Sequence, residues 1–121
     1  MTFDEPKLIK KLTKLTDAEY DLLPFGLVKL SNEGQVEFYN KYESELAGLQ
    51  PDDVMNRNFF TEIAPCTNNY MVAQKFLDES NLDEIVNYIF TYKLNPTKVT
   101  LRLLKHDQYK SGFFLVKLDE G

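Results

Sequence analysis

Residues 86–94 alternate in side-chain chemistry with a period of two. Val86, Tyr88, Phe90, Tyr92 and Leu94 fall on one side, and Asn87, Ile89, Thr91 and Lys93 on the other. Successive side chains of a strand point to opposite faces, so this stretch predicts a strand with one face against a core. Asn95-Pro96-Thr97 supplies a turn after it. Residues 99–104 and 113–118 read as two more strands around a polar loop at 105–112, completing a three-stranded meander. Upstream, residues 25–30 and 35–39 read as a hairpin turning at 31–34.

Between hairpin and meander the pattern is helical but broken. Residues 41–47 form a short helix ended by Gly48, and Pro51 opens another over 52–55. Asn58 precedes a helix or turn at 59–63, stopped by Pro65. Residues 69–79 read as a helix, with Val72/Phe76 and Ala73/Leu77 as four-spaced pairs. At the N-terminus, residues 4–15 read as an amphipathic helix with Asp4 as cap and Pro6 in its first turn. Leu8, Leu12 and Leu15 make its apolar stripe, to be packed on the main body, and Lys7, Lys10, Lys11 and Lys14 its solvated side. Thr16 and Glu19 have capping-box spacing for a second short helix before Pro24.

Two strands, short helices, then three strands imply an α+β class. The expected architecture is a five-stranded antiparallel sheet with short helices across one face and an N-terminal helical cap. The 121 residues suit one domain, with a cap over 1–24 and a core over 25–121. The space between helices and sheet is a usual place for a ligand.

Composition removes several classes of function. The net charge of -5 argues against nucleic-acid binding. No apolar run approaches the roughly 20 residues of a membrane span, and the N-terminus lacks the features of a signal peptide. A cytoplasmic location away from membranes is expected. One cysteine excludes an internal disulfide, and with one histidine it excludes an ordinary zinc site. Seven tyrosines and nine phenylalanines are ample for an apolar pocket or for core filling.

Few residues bear chemistry. Tyr39 and Glu43 are four apart, at a strand end and a helix start. Cys66 follows a proline between helices, and Tyr88 and Phe90 share the apolar strand face. Spacing alone also fits a surface tyrosine, an exposed carboxylate, a small buried cysteine and core aromatics. A cysteine nucleophile needs a base. The only histidine, His106, lies in a polar loop before Asp107, and nothing in the sequence sets it against Cys66.

Taken in order, four segments resemble the photoactive yellow protein family, bacterial blue-light receptors with a PAS fold. They are Tyr39-Asn40-Lys41-Tyr42-Glu43; Asn58-Phe59-Phe60 through Ala64-Pro65-Cys66-Thr67; Tyr88-Ile89-Phe90; and Asn95-Pro96-Thr97-Lys98-Val99. The likeness runs from about residue 22 to 117, with a few residues fewer between Cys66 and Tyr88, which is expected to trim a helix or loop and spare the sheet. The resemblance implies a non-enzymatic photoreceptor whose 4-hydroxycinnamic (p-coumaric) acid chromophore is joined to Cys66 as a thioester. It implies that Tyr39 and Glu43 bond the phenolic oxygen, and that Ala47, Leu49, Pro65, Thr67, Tyr88, Phe90 and Leu94 contribute to the pocket.

A free phenol titrates near pH ~10, so a phenolate at neutral pH needs strong donors. Tyrosine is one, and a glutamic acid is another while it keeps its proton. Trans–cis isomerisation would draw that proton from Glu43 and release the cap. A downstream signalling protein of unknown identity is the expected partner, reached by contact because no kinase, DNA-binding or methyl-accepting segment is attached. The chain is expected to be a monomer or weak homodimer.

Three positions depart from the family pattern. Ala47 stands where a threonine usually supports the tyrosine–glutamate pair, Leu49 where an arginine commonly covers the ring, and Leu94 where a methionine is implicated in recovery. Slow dark recovery is the expected consequence. The alternative is a PAS module with an unmodified Cys66 that binds another small molecule or a protein, with the Leu8, Leu12 and Leu15 stripe as a dimer face.

Overall fold

A computed structural model of the chain describes residues 1–91 and 95–119. Its centre is a five-stranded antiparallel sheet of β1 (Gly26–Ser31), β2 (Val36–Tyr39), β3 (Leu82–Phe90), β4 (Thr97–Lys105) and β5 (Ser111–Leu118), in the order β2-β1-β5-β4-β3. The β1–β5 pairing, Gly26 opposite Val116 through Ser31 opposite Ser111, joins hairpin to meander. Between β2 and β3 lie α3 (Lys41–Ala47), α4 (Pro51–Val54), a π-helical turn (Phe59–Ile63), a 3-10 turn (Pro65–Thr67) and α5 (Ala73–Asp78). Ahead of β1 are α1 (Leu8–Leu12) and α2 (Asp17–Tyr20).

The sheet carries a core on each face. Val28, Leu30, Phe114 and Val116 pack with α3, α5 and the turns between them, while Leu27, Leu104, Phe113 and Leu115 pack under Phe3, Leu8, Leu12 and Tyr20. Covered on both sides, β1 and β5 read as nearly unbroken apolar runs. At the edge, β3 alternates because only one of its faces is covered: Val86 and Tyr88 turn inward, and Ile85 and Ile89 remain about half exposed.

The N-terminal segment packs on the body as its stripe predicts. Leu8 and Leu12 are fully buried within the chain, so they are not free to form a dimer face. Burying each stabilises the docked segment by about 1.5–3 kcal/mol. The helix itself is shorter than the predicted 4–15. Lys7 at its start has φ 55°, a left-handed geometry, and Asp4 is not its cap. The capping box forms as expected, with Thr16 Oγ1 accepting from the Glu19 amide and Glu19 Oε1 from the Thr16 amide.

The helix predicted over 69–79 also shortens, to Ala73–Asp78. Asn69 Oδ1 accepts from the amides of Met71 and Val72, holding that stretch as a turn, and Leu77 is exposed. Lys105 ties α5 down from β4. Its ammonium donates to the Phe76 carbonyl at 2.6 Å and lies 4.9 Å over the Phe76 ring, and burial lowers its pKa. The predicted strand residues Tyr92 and Leu94 lie outside the described residues. Among the described residues, no helix is long and apolar enough to cross a membrane.

Tyr20 joins this segment to the sheet. Its hydroxyl donates to the Leu12 carbonyl at 2.8 Å, and its ring packs on Phe38 and Phe113. Burial, with help from Asp17, pushes the phenol up from 10 to about 12. A raised folded-state value means that the protonated phenol's contribution is whole below pH 10 and is lost as pH climbs towards 12. Wild-type stability should therefore fall relative to Tyr20→Phe across that window, by on the order of 1–2 kcal/mol. Urea midpoints at either end check it; parallel curves for the two proteins would refute it.

Candidate functional site

The hairpin and α3 build one end of the site. Tyr39 ends β2 opposite Val28 and is 2% exposed. One residue on, Asn40 caps α3 with φ -78° and ψ 171°. Its Oδ1 accepts from the Glu43 amide at 3.0 Å and the Leu27 amide at 2.9 Å. Its Nδ2 donates to the carbonyls of Tyr20 at 2.9 Å and Phe25 at 3.0 Å. A buried polar side chain is tolerated when its groups are bonded, and Asn40 meets that condition at 0% exposure. It also links α2, β1 and α3 through one amide group.

Glu43, at 1% exposure, lies in the first turn of α3. Opposite it, β1 has Gly26. A Cβ there would stand 2.3 Å from Glu43 Oε2 and 3.3 Å from the Val116 Cβ. The bare glycine backbone is what leaves room for the carboxyl head. Ala47, one turn further along, is in the core, and half-buried Leu49 packs against it. The Ser44 hydroxyl donates to the Leu49 carbonyl at 2.5 Å, folding the chain back after Gly48, whose φ is 72°.

The other end is the 3-10 turn. Cys66 is a free thiol, partly buried against the same core. Its carbonyl accepts from the Tyr88 hydroxyl at 2.5 Å and from Asn69 Nδ2 at 3.3 Å, and Asn69 Nδ2 also reaches the Tyr88 oxygen at 2.6 Å. Thr67 is fully buried, donating to the Ala64 carbonyl at 2.7 Å, whereas Pro65 is exposed. Behind the turn stands an aromatic wall. Tyr88 meets Phe90 edge-on at 6.2 Å, Phe90 stacks on Phe114 at 6.4 Å, and Phe114 packs on Phe59 at 4.6 Å.

Tyr39, Ala47, Leu49, Cys66, Tyr88 and Phe90 thus share one core between the helices and the sheet, with Glu43 buried on α3 beside it. Leu94 lies outside the described residues. His106 is exposed in the β4–β5 turn, where its Nδ1 accepts from the Gln108 amide at 3.0 Å and lies 3.3 Å from Asp107 Oδ1. Three further residues take part in this geometry without a role assigned from sequence: Asn40, Asn69 and Gly26. Asn40 had a signal, an asparagine immediately before a helical run. Asn69 had only its turn-forming character, and Gly26 had none.

No family model matches the chain. It is 32% identical over 118 residues to the photoactive yellow protein of Rhodothalassium salexigens, covering 95% of this chain and 94% of that one. Its structure is similar to that of the photoactive yellow protein domain from the sensor histidine kinase Ppr of Rhodospirillum centenum. The TM-score is 0.82 at 32% identity, over 89% of this chain and 97% of that one. The PAS domain of an HTR-like protein from Haloarcula marismortui has the same fold, with a TM-score of 0.68 at 11% identity, over 91% and 99%. With its PAS-like sheet and a relative matched along nearly its whole length, the chain belongs to the photoactive yellow protein family.

Proposed function

We propose that this protein is a blue-light sensor carrying a 4-hydroxycinnamoyl group as a thioester on Cys66. One observation carries the reading: a free thiol, an aromatic wall and the buried Tyr39 meet in a single core, with the buried Glu43 at its edge. Those residues suit the group. The thiol provides the acyl acceptor, the wall of Tyr88 and Phe90 takes an aromatic ring, and Tyr39 and Glu43 offer two O–H donors for a phenolic oxygen. The group, when bound, supplies blue-light absorption and a double bond that isomerises from trans to cis.

The protein's own part is positional and electrostatic. Tyr88 and Asn69 pin the Cys66 carbonyl, so the attachment point is held while the rest of the site responds. Glu43 keeps its carboxyl proton in the dark and gives it up after illumination. The carboxylate left behind is buried, and an uncompensated buried charge costs several kcal/mol. Against a domain stability of about 5–15 kcal/mol, that is enough to loosen a peripheral element. Asn40 gives the strain a route, since it bonds both the Glu43 amide and the Tyr20 carbonyl. The N-terminal segment is the element released, to be read by a downstream signalling protein.

Incubating the chromophore-free protein with an activated p-coumaroyl ester tests this. The intact mass should rise by one hydroxycinnamoyl increment, with blue-light absorption, and Cys66→Ala should take up none. A folded protein that forms no adduct would point instead to a PAS module with an unmodified Cys66.

A further inference from the structure

The N-terminal segment is held on the sheet at a second place, far from Asn40 in sequence. Arg102 is on β4 and is only 3% exposed. Its Nε and Nη2 bond the two oxygens of Asp83 on β3 at 2.8 and 2.9 Å. Its Nη1 faces the other way and donates to two main-chain carbonyls, those of Phe3 at 2.9 Å and Glu5 at 2.8 Å. We infer that Arg102, oriented by Asp83, is the fastener that holds residues 3–5 and α1 on the outer face of the sheet.

A cross-strand ion pair at a surface contributes little, and Asp83 alone would be such a partner. Arg102 differs because its guanidinium is buried beneath the segment that it bonds. Residues 3–6 form no helix or strand, so their carbonyls need partners from elsewhere. Asp83 fixes the plane of the guanidinium, and the remaining donors are thereby aimed at those carbonyls. Lysine has neither the plane nor the fork to do this. The surroundings fit a docked strap. Phe3 packs edge-on against Phe25 at 5.7 Å, Glu5 pairs with Lys11 of α1, and Lys7 takes its left-handed geometry between them.

The two attachments have different connections. Asn40 leads from Tyr20 to Glu43, whereas the Arg102 side chain leads to Asp83 on β3. For the light response, this inference rests on the proposed function: disturbance at Glu43 loosens the Asn40 end, and Arg102 then sets how far residues 1–12 leave the sheet.

Amide hydrogen exchange on the chromophore-free full chain tests the fastener without any light response. Arg102→Met should speed exchange of the α1 amides at least tenfold, with β5 and α3 unchanged. Asp83→Asn and Arg102→Lys should give intermediate increases, and they keep the test open if Arg102→Met does not fold. Unchanged α1 protection in all three would overturn the inference, as would equal acceleration throughout β3, β4 and β5. In protein carrying the chromophore, illumination should free α1 more fully in Asp83→Asn than in wild type. If the dark result holds but illumination releases both alike, the fastener stands and its link to the light response falls.

Discussion

Asn40→Ala should lower the free energy of unfolding by about 3 kcal/mol, while leaving the sheet assembled. The change removes an acceptor from the amides of Leu27 and Glu43 and a donor from the carbonyls of Tyr20 and Phe25. Losing a helix N-cap alone costs about 1 kcal/mol. A buried group left without its partner costs about 1–3 kcal/mol, and relaxation or water entry recovers part of the sum. Asn40→Ser separates the contributions. A serine hydroxyl can accept from the Glu43 amide but cannot also bond both carbonyls, so it should recover only about 1 kcal/mol. Urea unfolding gives the energies, and exchange at the Tyr20–Phe25 connection shows whether the N-terminal segment loosens first. A loss below about 1 kcal/mol would mean that Asn40 is only a cap, and the proposed route from Glu43 to the segment would fail.

How far each element could be read from sequence depended on where its boundaries are decided. The alternation in β3 was plain because that edge strand has one covered face, so period and burial coincide. In β1 and β5 both faces are covered, and an unbroken apolar run does not separate strand from buried helix by period alone. Their flanking turn residues made the distinction. The stripe of Leu8 and Leu12 was equally visible, but the length of α1 was not. Its start is limited by Arg102, which bonds the carbonyls of Phe3 and Glu5 from 99 and 97 residues away. In α5 the late start lies at Val72, whose φ of -121° and ψ of -73° are not helical, even though Asn69 Oδ1 accepts from the Met71 and Val72 amides as an N-cap would. Local propensity registers neither the distant arginine nor that break.

The site divides along similar lines. Cys66, Tyr39, Glu43, Tyr88 and Phe90 are proposed for the site on likeness to a family, since their spacing fits plain structural roles. That Cys66, Tyr39, Tyr88 and Phe90 share one core, with Glu43 buried on α3, is a tertiary fact. Gly26 is the sharper case. Glycine at the start of a strand suggests a turn or a loose end, and its significance comes entirely from the carboxyl group that α3 brings against it.

That close approach makes Gly26→Ala the substitution that bears most directly on Glu43. The added methyl would lie 2.3 Å from Glu43 Oε2 and 3.4 Å from the Glu43 Cβ, with Val116 behind it at 3.3 Å. Relief requires a shift on the order of 1 Å, either by the carboxyl head or by α3 moving off β1. Overpacking of this kind costs about 1–3 kcal/mol. The cause can be isolated with a double-mutant cycle. Glu43→Gln preserves the volume and should leave the penalty of Gly26→Ala in place. Glu43→Ala removes the obstructing atoms and should cancel most of it, a coupling of about 1–2 kcal/mol. In protein carrying the chromophore, Gly26→Ala should also shift the absorption maximum, because the donor proposed for the phenolic oxygen has moved. If the penalty were the same in the Glu43→Ala background, Gly26 would not be making room for Glu43. If the cycle showed coupling but the absorption stayed fixed, Glu43 would be packed against Gly26 without touching the pigment. The proposed proton donor would then have to be sought elsewhere in the core.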